Sequence, residues 1–264
     1  MSTATKLATA RQLLTPILGE DRARIPLGHP GADRTLRGGL MRGALHEVFA
    51  ADPAAIGFTA GLARRAAGPK RLLWIVQDFS TLEQGALAPT GLAEFGLDPG
   101  RVLMMCAANA TDALRAGADA LSCSALGAVV LEIPGNPKIL DLVASRRLVL
   151  GAQSKGVTAF LLRPMAAAEP SAAETRWLVR AAPSADTDDW GPSADADNFG
   201  SPTFDAELTR NRHGETGRWA MEWCCDDNVF DEPKGRAAHP GAVVSPPADR
   251  PAAAAQDRLW RHAG

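Results

Sequence analysis

Residues 44–67 have the layout of a phosphate-binding loop, in which a buried strand leads through a turn into a helix. Such a loop needs a glycine-rich turn, whose N–H groups face the phosphates, and a Gly-Lys-Ser/Thr sequence at the start of the helix. Here the turn contains no glycine, and the helix begins with Gly57, Phe58 and Thr59. A phenylalanine cannot bring a positive charge to the phosphates, and Asp52 would repel them. The pattern therefore predicts a degenerate nucleotide site, which keeps the fold without the chemistry.

Two further carboxylates are predicted to lie near this turn. Asp78 and Glu132 each stand at the end of an apolar run, and sites in parallel sheets form at the carboxyl ends of strands. They are interpreted either as remnants of a catalytic site or as solvated residues at the start of loops. Thr59 could bind Mg²⁺, but without a neighbouring lysine an ordinary helix hydroxyl is the favoured interpretation. We expect no catalytic residue, no ATP hydrolysis and no cofactor.

The composition excludes several classes of protein. The 264 residues are 46% hydrophobic, which supports a substantial core, and the formal net charge of −2 gives no general attraction to nucleic acid. No apolar run is long enough to cross a membrane, and residues 1–11 contain no apolar signal core, so a cytoplasmic location is expected. The four cysteines form no Cys-x-x-Cys pair and the five histidines are scattered, so no metal site is expected.

Short apolar runs alternate with helical patterns up to residue 163, which is typical of βαβ units and a parallel sheet. The predicted strands are Leu45–Phe49, Leu72–Val76, Val102–Met105, Ala128–Ile133 and Thr158–Leu162. The predicted helices are Ile56–Ala67, Gly91–Phe95, Thr111–Ser122 and Lys138–Gln153. Later segments alternate as antiparallel strands do, and these are Thr175–Ala182, Phe204–Arg210 and Arg218–Trp223. The expected fold class is α/β, with a mainly parallel sheet flanked by helices and antiparallel edge strands.

Three segments flank or interrupt the core, which is predicted over residues 25–225. Residues 1–24 are predicted to form a helix, and residues 183–205 are an acidic insertion with six aspartates and no basic residue. Residues 226–264 are rich in proline and alanine and are predicted to be a disordered partner-binding tail that is dispensable for folding. In that tail Leu259-Trp260 is the expected apolar anchor.

The order of these elements resembles the core of RecA. Residues 126–132, LGAVVLE, are similar to the Walker B strand, with glutamate in place of the usual aspartate. Asp78 falls near the position of the water-activating glutamate of that family. A later strand resembles the one that brings two basic residues, here Arg210 and Arg212, to the nucleotide of a neighbouring subunit. The resemblance implies a RecA-like core whose nucleotide site is degenerate.

Within that superfamily the sequence is most similar to the ImuA family of the bacterial induced-mutagenesis cassette. The similar phrases are PLGHPGADRTLRGGLMRGALHEV, GLAEFGLDPGRVL, ASRRLVLGAQSKGVTAFLLRP, AAETRWLVRAAPS and LTRNRHGETGRWAMEW, spread over residues 26–223. The resemblance implies an accessory role in SOS-induced, error-prone translesion DNA synthesis, with ImuB and a second DnaE-type polymerase as partners and RecA as a further candidate. The partner-binding residues expected are Arg210 and Arg212 on a strand, and Leu259 and Trp260 in the tail.

Direct DNA binding is expected to be weak or absent. The two loops that hold single-stranded DNA in RecA would fall near Pro134–Pro137, which is short, and near Met165–Glu174, which has neither glycine nor a basic residue. Two other functions remain open. One is a RecA-type DNA-dependent ATPase, against which the missing lysine argues, and the other is a cell-division inhibitor of the SulA kind, also RecA-like without a P-loop.

Overall fold

The computed structural model describes residues 22–78, 87–184 and 201–233, all within one compact unit that spans Met1–Lys234. The body of the predicted N-terminal helix, most of the acidic insertion and the Leu259-Trp260 anchor lie outside the described residues.

Among the described residues, nine strands form one mixed sheet and two short strands form a separate antiparallel pair. The pair is β1 (Arg24–Ile25) and β2 (Leu40–Met41); the sheet contains β3 (Leu45–Ala50), β4 (Arg71–Gln77), β5 (Val102–Ala107), β6 (Leu126–Glu132), β7 (Thr158–Pro164), β8 (Thr175–Ala181), β9 (Thr203–Asn211), β10 (Gly217–Cys224) and β11 (Val229–Asp231). Its spatial order is β11-β10-β9-β8-β3-β7-β6-β4-β5. The six strands from β8 to β5 are parallel, and β9, β10 and β11 are added antiparallel. This confirms the predicted α/β class, with a mainly parallel sheet and antiparallel strands at one side.

Helices cover both faces of the sheet. They are α1 (Pro30–Thr35), α2 (Ala54–Ala67), α3 (Pro89–Glu94), α4 (Ala110–Ala120) and α5 (Leu142–Lys155). Helix α2 packs into the core on one face, whereas α4 and α5 pack on the other. Within the described part of the chain, none of these helices combines the length and the apolar character that crossing a membrane requires.

The central strands are buried on both faces, which explains their continuous apolar sequences. All seven residues of β6 and all seven of β7 are buried. Helices α4 and α5 each begin at a capping side chain. Asn109 accepts the N–H of Asp112 at 3.0 Å, and Asp141 accepts the N–H of Ala144 at 2.7 Å. Local sequence signals and burial therefore agree over this part of the fold.

The structure corrects the predicted helix Lys138–Gln153 in both its start and its buried face. Helix α5 starts at Leu142, because Asp141 caps it. The predicted apolar stripe is exposed, and the residues that face the sheet are Ser145, Leu148 and Ala152. The helix approaches the turn before β3 closely, since a Cβ placed on Gly43 would lie 3.1 Å from the Ala152 carbonyl oxygen. The exposed residues are Ile139, Leu142, Val143 and Leu150.

Two predicted segment boundaries are also wrong. Ordered structure continues past residue 226, since β11 pairs with β10 and Phe230 is fully buried. The acidic insertion ends before residue 203, where β9 begins. A three-residue strand that holds one aromatic side chain has no periodicity to read, which is why the sequence did not predict it.

Candidate functional site

The side chain of Asp52 closes the turn between β3 and α2. Its Oδ1 atom accepts the N–H of Ala54 at 2.8 Å, and its Oδ2 atom accepts the N–H of Ala181, the last residue of β8, at 2.8 Å. The N–H of Ala51 donates to the carbonyl of Val179, also in β8, at 3.1 Å. The carboxylate therefore ties the turn both to its own helix and to the neighbouring strand.

The donors that a phosphate would use at the start of α2 are already occupied. A helix N-terminus binds anions through the N–H groups of its first turn. Here the N–H of Ala54 is bonded to the Asp52 carboxylate, that of Ala55 to the Asp52 carbonyl at 3.4 Å, and that of Ile56 to the Pro53 carbonyl at 3.0 Å. Pro53 itself has no N–H to offer. Asp52 thus supplies the negative charge that the helix dipole favours at this position.

Phe58, which stands where a phosphate-binding lysine would be, is part of the core. Its side chain is fully buried, and its ring centroid lies 5.6 Å from Trp177, 5.6 Å from Phe204 and 5.0 Å from Phe230. A lysine here would bury an ammonium group among three aromatic rings without a carboxylate partner, which is strongly unfavourable. The residue at this position therefore stabilises the fold instead of facing a ligand.

Thr59 and Gly57, which flank Phe58 in the predicted site, also serve the packing of α2. The hydroxyl of Thr59 is buried and donates to the Ala55 carbonyl within the helix at 2.7 Å. A Cβ on Gly57 would lie 2.6 Å from the ring of Phe95, so glycine is needed there for close packing. The interpretation of Thr59 as an ordinary helix hydroxyl agrees with this geometry.

Asp78 and Glu132 lie at the carboxyl ends of the neighbouring strands β4 and β6, which is the same end of the parallel strands as the turn. Asp78 is exposed, whereas Glu132 is buried. Burial raises the pKa of the Glu132 carboxyl above its ordinary value. The Trp74 indole N–H has no partner within normal hydrogen-bond geometry, but its proximity to the carboxyl offsets part of the rise in the pKa. Strand β6 is two strand spacings from β3, about 10 Å, so Glu132 does not join the Asp52 network.

A buried charged cluster that the sequence analysis missed lies on the opposite face of the sheet. Glu47 of β3 is almost fully buried, and its Oε2 atom accepts from Nε of Arg176, in the adjacent β8, at 2.9 Å. The guanidinium groups of Arg176 and of the buried Arg163 lie 5.3 and 5.5 Å from the ring centroid of Phe49. Burial lowers the pKa of Arg163, and the charge of Glu47 opposes this shift. A charged residue inside the apolar run of β3 was the only available signal for this cluster.

The two loops that correspond to the predicted DNA loops are bound to each other. The side-chain amide of Asn136 donates to the Ala167 carbonyl at 2.9 Å and accepts the Ala167 N–H at 2.8 Å. The N–H of Gly135 donates to the Pro164 carbonyl at 2.8 Å, and Arg163 donates to the Gly135 carbonyl at 2.7 Å. These backbone groups are used within the protein, which reduces the number of donors that could meet a DNA backbone.

Arg210 lies on β9, which is not an edge of the sheet, and Arg212 follows that strand in the turn to β10. Strand β9 is hydrogen-bonded to β8 on one side and to β10 on the other, so the expectation of an exposed edge there is wrong. Arg210 donates to the Ser171 carbonyl at 2.9 Å and is half-buried, whereas Arg212 is exposed. Of the two predicted partner-binding arginines, Arg212 is the more exposed. Leu259 and Trp260 lie outside the described residues.

Within the residues that the structure describes, no group of three or more His, Cys, Asp or Glu side chains is placed to hold a metal ion. Comparison with known proteins finds no protein-family model and no curated protein that matches this sequence. The resemblance to the ImuA family therefore stays a prediction.

Proposed function

We propose that this chain is a non-catalytic, RecA-like accessory protein of a bacterial error-prone translesion DNA synthesis complex, acting in the cytoplasm during the SOS response. Two features support the proposal. The ImuA-like phrases extend over residues 26–223, which is most of the chain. The mainly parallel α/β sheet, with a strand–turn–helix where a nucleotide site would form, is compatible with a RecA-like core.

The occupied turn at Asp52 is the observation that carries the non-catalytic part of the proposal. Phosphate binding there would require removal of a carboxylate that makes two hydrogen bonds of 2.8 Å, and no lysine replaces its contribution. Each such charge-assisted bond contributes about 1.5 kcal/mol or more, so a nucleotide would first have to overcome about 3 kcal/mol. The core position of Phe58 and the internal hydrogen bond of Thr59 support the same conclusion.

The proposed partners are ImuB, a second DnaE-type polymerase and RecA, and not DNA itself. Arg212 is the better candidate contact on the described surface, because Arg210 is already bonded to Ser171. In the tail, Leu259 and Trp260 form an apolar pair of the kind that often anchors a protein contact. The hydrogen bonds between the loops of Asn136 and Ala167 and the net charge of −2 both support weak DNA binding.

Co-purification of the full chain with ImuB tests the proposal. We expect ImuB to be retained, and we expect Arg212→Glu or Trp260→Ala to reduce the retained amount about tenfold. Arg71→Glu is the matched control, because Arg71 is also exposed but begins β4, which is separated from β9 by four strands of the sheet. If ImuB, the polymerase and RecA all fail to bind, the proposed function is wrong. If only replacement of the acidic residues 185–200 weakens binding, the contact surface is the insertion.

A further inference from the structure

Helices α4 and α5 pack side by side on one face of the sheet and leave a groove between them. Leu114 and Ala118 line it from α4, and Val143 and Arg147 line it from α5. The members of each pair are four positions apart, so they lie on the same side of their helix. The volume of this α4–α5 groove is about 320 Å³, which is within the range of about 300–1,000 Å³ for binding pockets.

Much of the lining of the α4–α5 groove is aliphatic, and part of it is open to solvent. Leu114 is buried, whereas Val143 is 52% exposed and Ile139, just before α5, is 48% exposed. No aromatic side chain occurs among the described residues that line the groove. Exposed aliphatic surface in a concave site is typical of a surface that contacts another molecule.

Two arginines give the α4–α5 groove a positive charge. Arg115 of α4 and Arg147 of α5 both line the groove and are both exposed. Among the described residues, neither guanidinium donates a hydrogen bond or forms an ion pair. The carboxylate in the lining, that of Asp141, already accepts the N–H of Ala144 at 2.7 Å as a helix cap. The guanidinium groups therefore have donors available for a ligand.

We propose that the α4–α5 groove binds an acidic, amphipathic segment of another protein. Apolar side chains of that segment enter between the two helices, and its carboxylates pair with Arg115 and Arg147. Amphipathic segments bind apolar grooves in this way, and complementary charge at the rim selects the partner. The proposal adds a contact surface to the one that carries Arg212.

Charge and composition favour this occupant over two others. Binding of a nucleic-acid strand relies on a basic groove that follows its backbone and on aromatic side chains that stack on its bases, and the α4–α5 groove has two arginines and no aromatic lining residue in the described structure. A two-fold contact with a second copy would bring the same patch against itself. Arg115 and Arg147 would then face the same arginines of the second copy, which is unfavourable.

Peptide selection on the full-length chain tests the proposal. A library of random peptides of about 15 residues, or about four helical turns, is displayed on phage and selected on the immobilised protein. We expect the enriched peptides to combine carboxylates with large apolar side chains. Their dissociation constants, measured by fluorescence anisotropy, should rise about tenfold or more in the double variant Arg115→Glu and Arg147→Glu, and also in Val143→Asp.

Matched controls come from the same helix. Arg146→Glu and Leu150→Asp make the same kinds of change at exposed residues of α5 that do not line the groove, so the dissociation constants should stay unchanged. Replacement of the peptide carboxylates by lysine should restore binding to the double variant, which separates loss of charge complementarity from loss of folding.

Three outcomes would overturn the proposal. The first is that no enriched peptide distinguishes the wild type from the double variant. The second is that the enriched peptides lack carboxylates, or that the lysine peptides fail to bind the double variant. The third is a dimer in sedimentation velocity that Arg147→Glu dissociates, since the occupant of the groove would then be a second copy.

Discussion

Replacement of Asp52 by alanine is predicted to destabilise the protein by more than the loss of an ordinary helix cap. The carboxylate makes two charge-assisted hydrogen bonds, to the N–H groups of Ala54 and Ala181, each 2.8 Å long. Each contributes about 1.5 kcal/mol at a half-buried site, so the change costs about 3 kcal/mol. For a domain of this size that lowers the thermal midpoint by about 6–12 °C. Asp52→Asn keeps one acceptor oxygen and should lose about half as much.

Thermal unfolding followed by circular dichroism measures this effect, with Asp141→Ala as the matched control. Asp141 is also an acidic residue before a helix, but it makes one such bond, to the N–H of Ala144. Its removal should cost about 1 kcal/mol and lower the midpoint by about 2–4 °C. If Asp52→Ala is no more destabilising than Asp141→Ala, the reasoning that Asp52 holds the turn closed is refuted.

Three further predictions concern the stability of the core. Burial lowers the pKa of His46 to about 4, so between pH 6.5 and pH 4 the unfolded chain binds a proton that the folded protein does not. The free energy of unfolding should therefore fall by about 3 kcal/mol as the pH drops from 6.5 to 4. Urea titrations of the wild type and His46→Gln measure this, and the same pH dependence in both proteins would contradict it. Glu47→Gln leaves the half-buried guanidinium of Arg176 without its carboxylate and the buried Arg163 without a nearby negative charge. The change should cost about 3–5 kcal/mol by urea unfolding, and a loss below 1 kcal/mol would contradict the importance of this cluster. Truncation after Asp226 removes the buried Phe230 and should lower the thermal midpoint by several degrees more than truncation after Pro233, and equal midpoints would contradict the packing of β11.

The sequence predicted the strands and helices of the parallel sheet because their signals are local. Continuous apolar runs predicted β6 and β7, and the actual strands differ from these predictions by at most two residues at either end. The face of α5 could not be predicted in the same way. Its apolar residues form a helical stripe, but close packing against β3 and β7 selects the side with Ser145 and Ala152.

The residues of the candidate site could be chosen from the sequence, but the contacts that they make could not be predicted. The absent lysine and glycines were visible in the sequence, and the structure adds that Asp52 binds the N–H of Ala181, 129 residues away. The Glu47–Arg176 pair has the same sequence separation, 129 residues. Contacts at that distance depend on which strands become neighbours, and local pattern does not contain that information. The same reason explains why β9 was expected at an edge but lies between two strands.

The most direct test of the central claim is ATP binding and hydrolysis by the full-length protein. The account predicts no binding of Mg²⁺–ATP by calorimetry at millimolar nucleotide, and no hydrolysis above background with or without single-stranded DNA. Hydrolysis clearly above background that disappears in Glu132→Gln would contradict the account, because it would place a working nucleotide site at the turn that Asp52 closes.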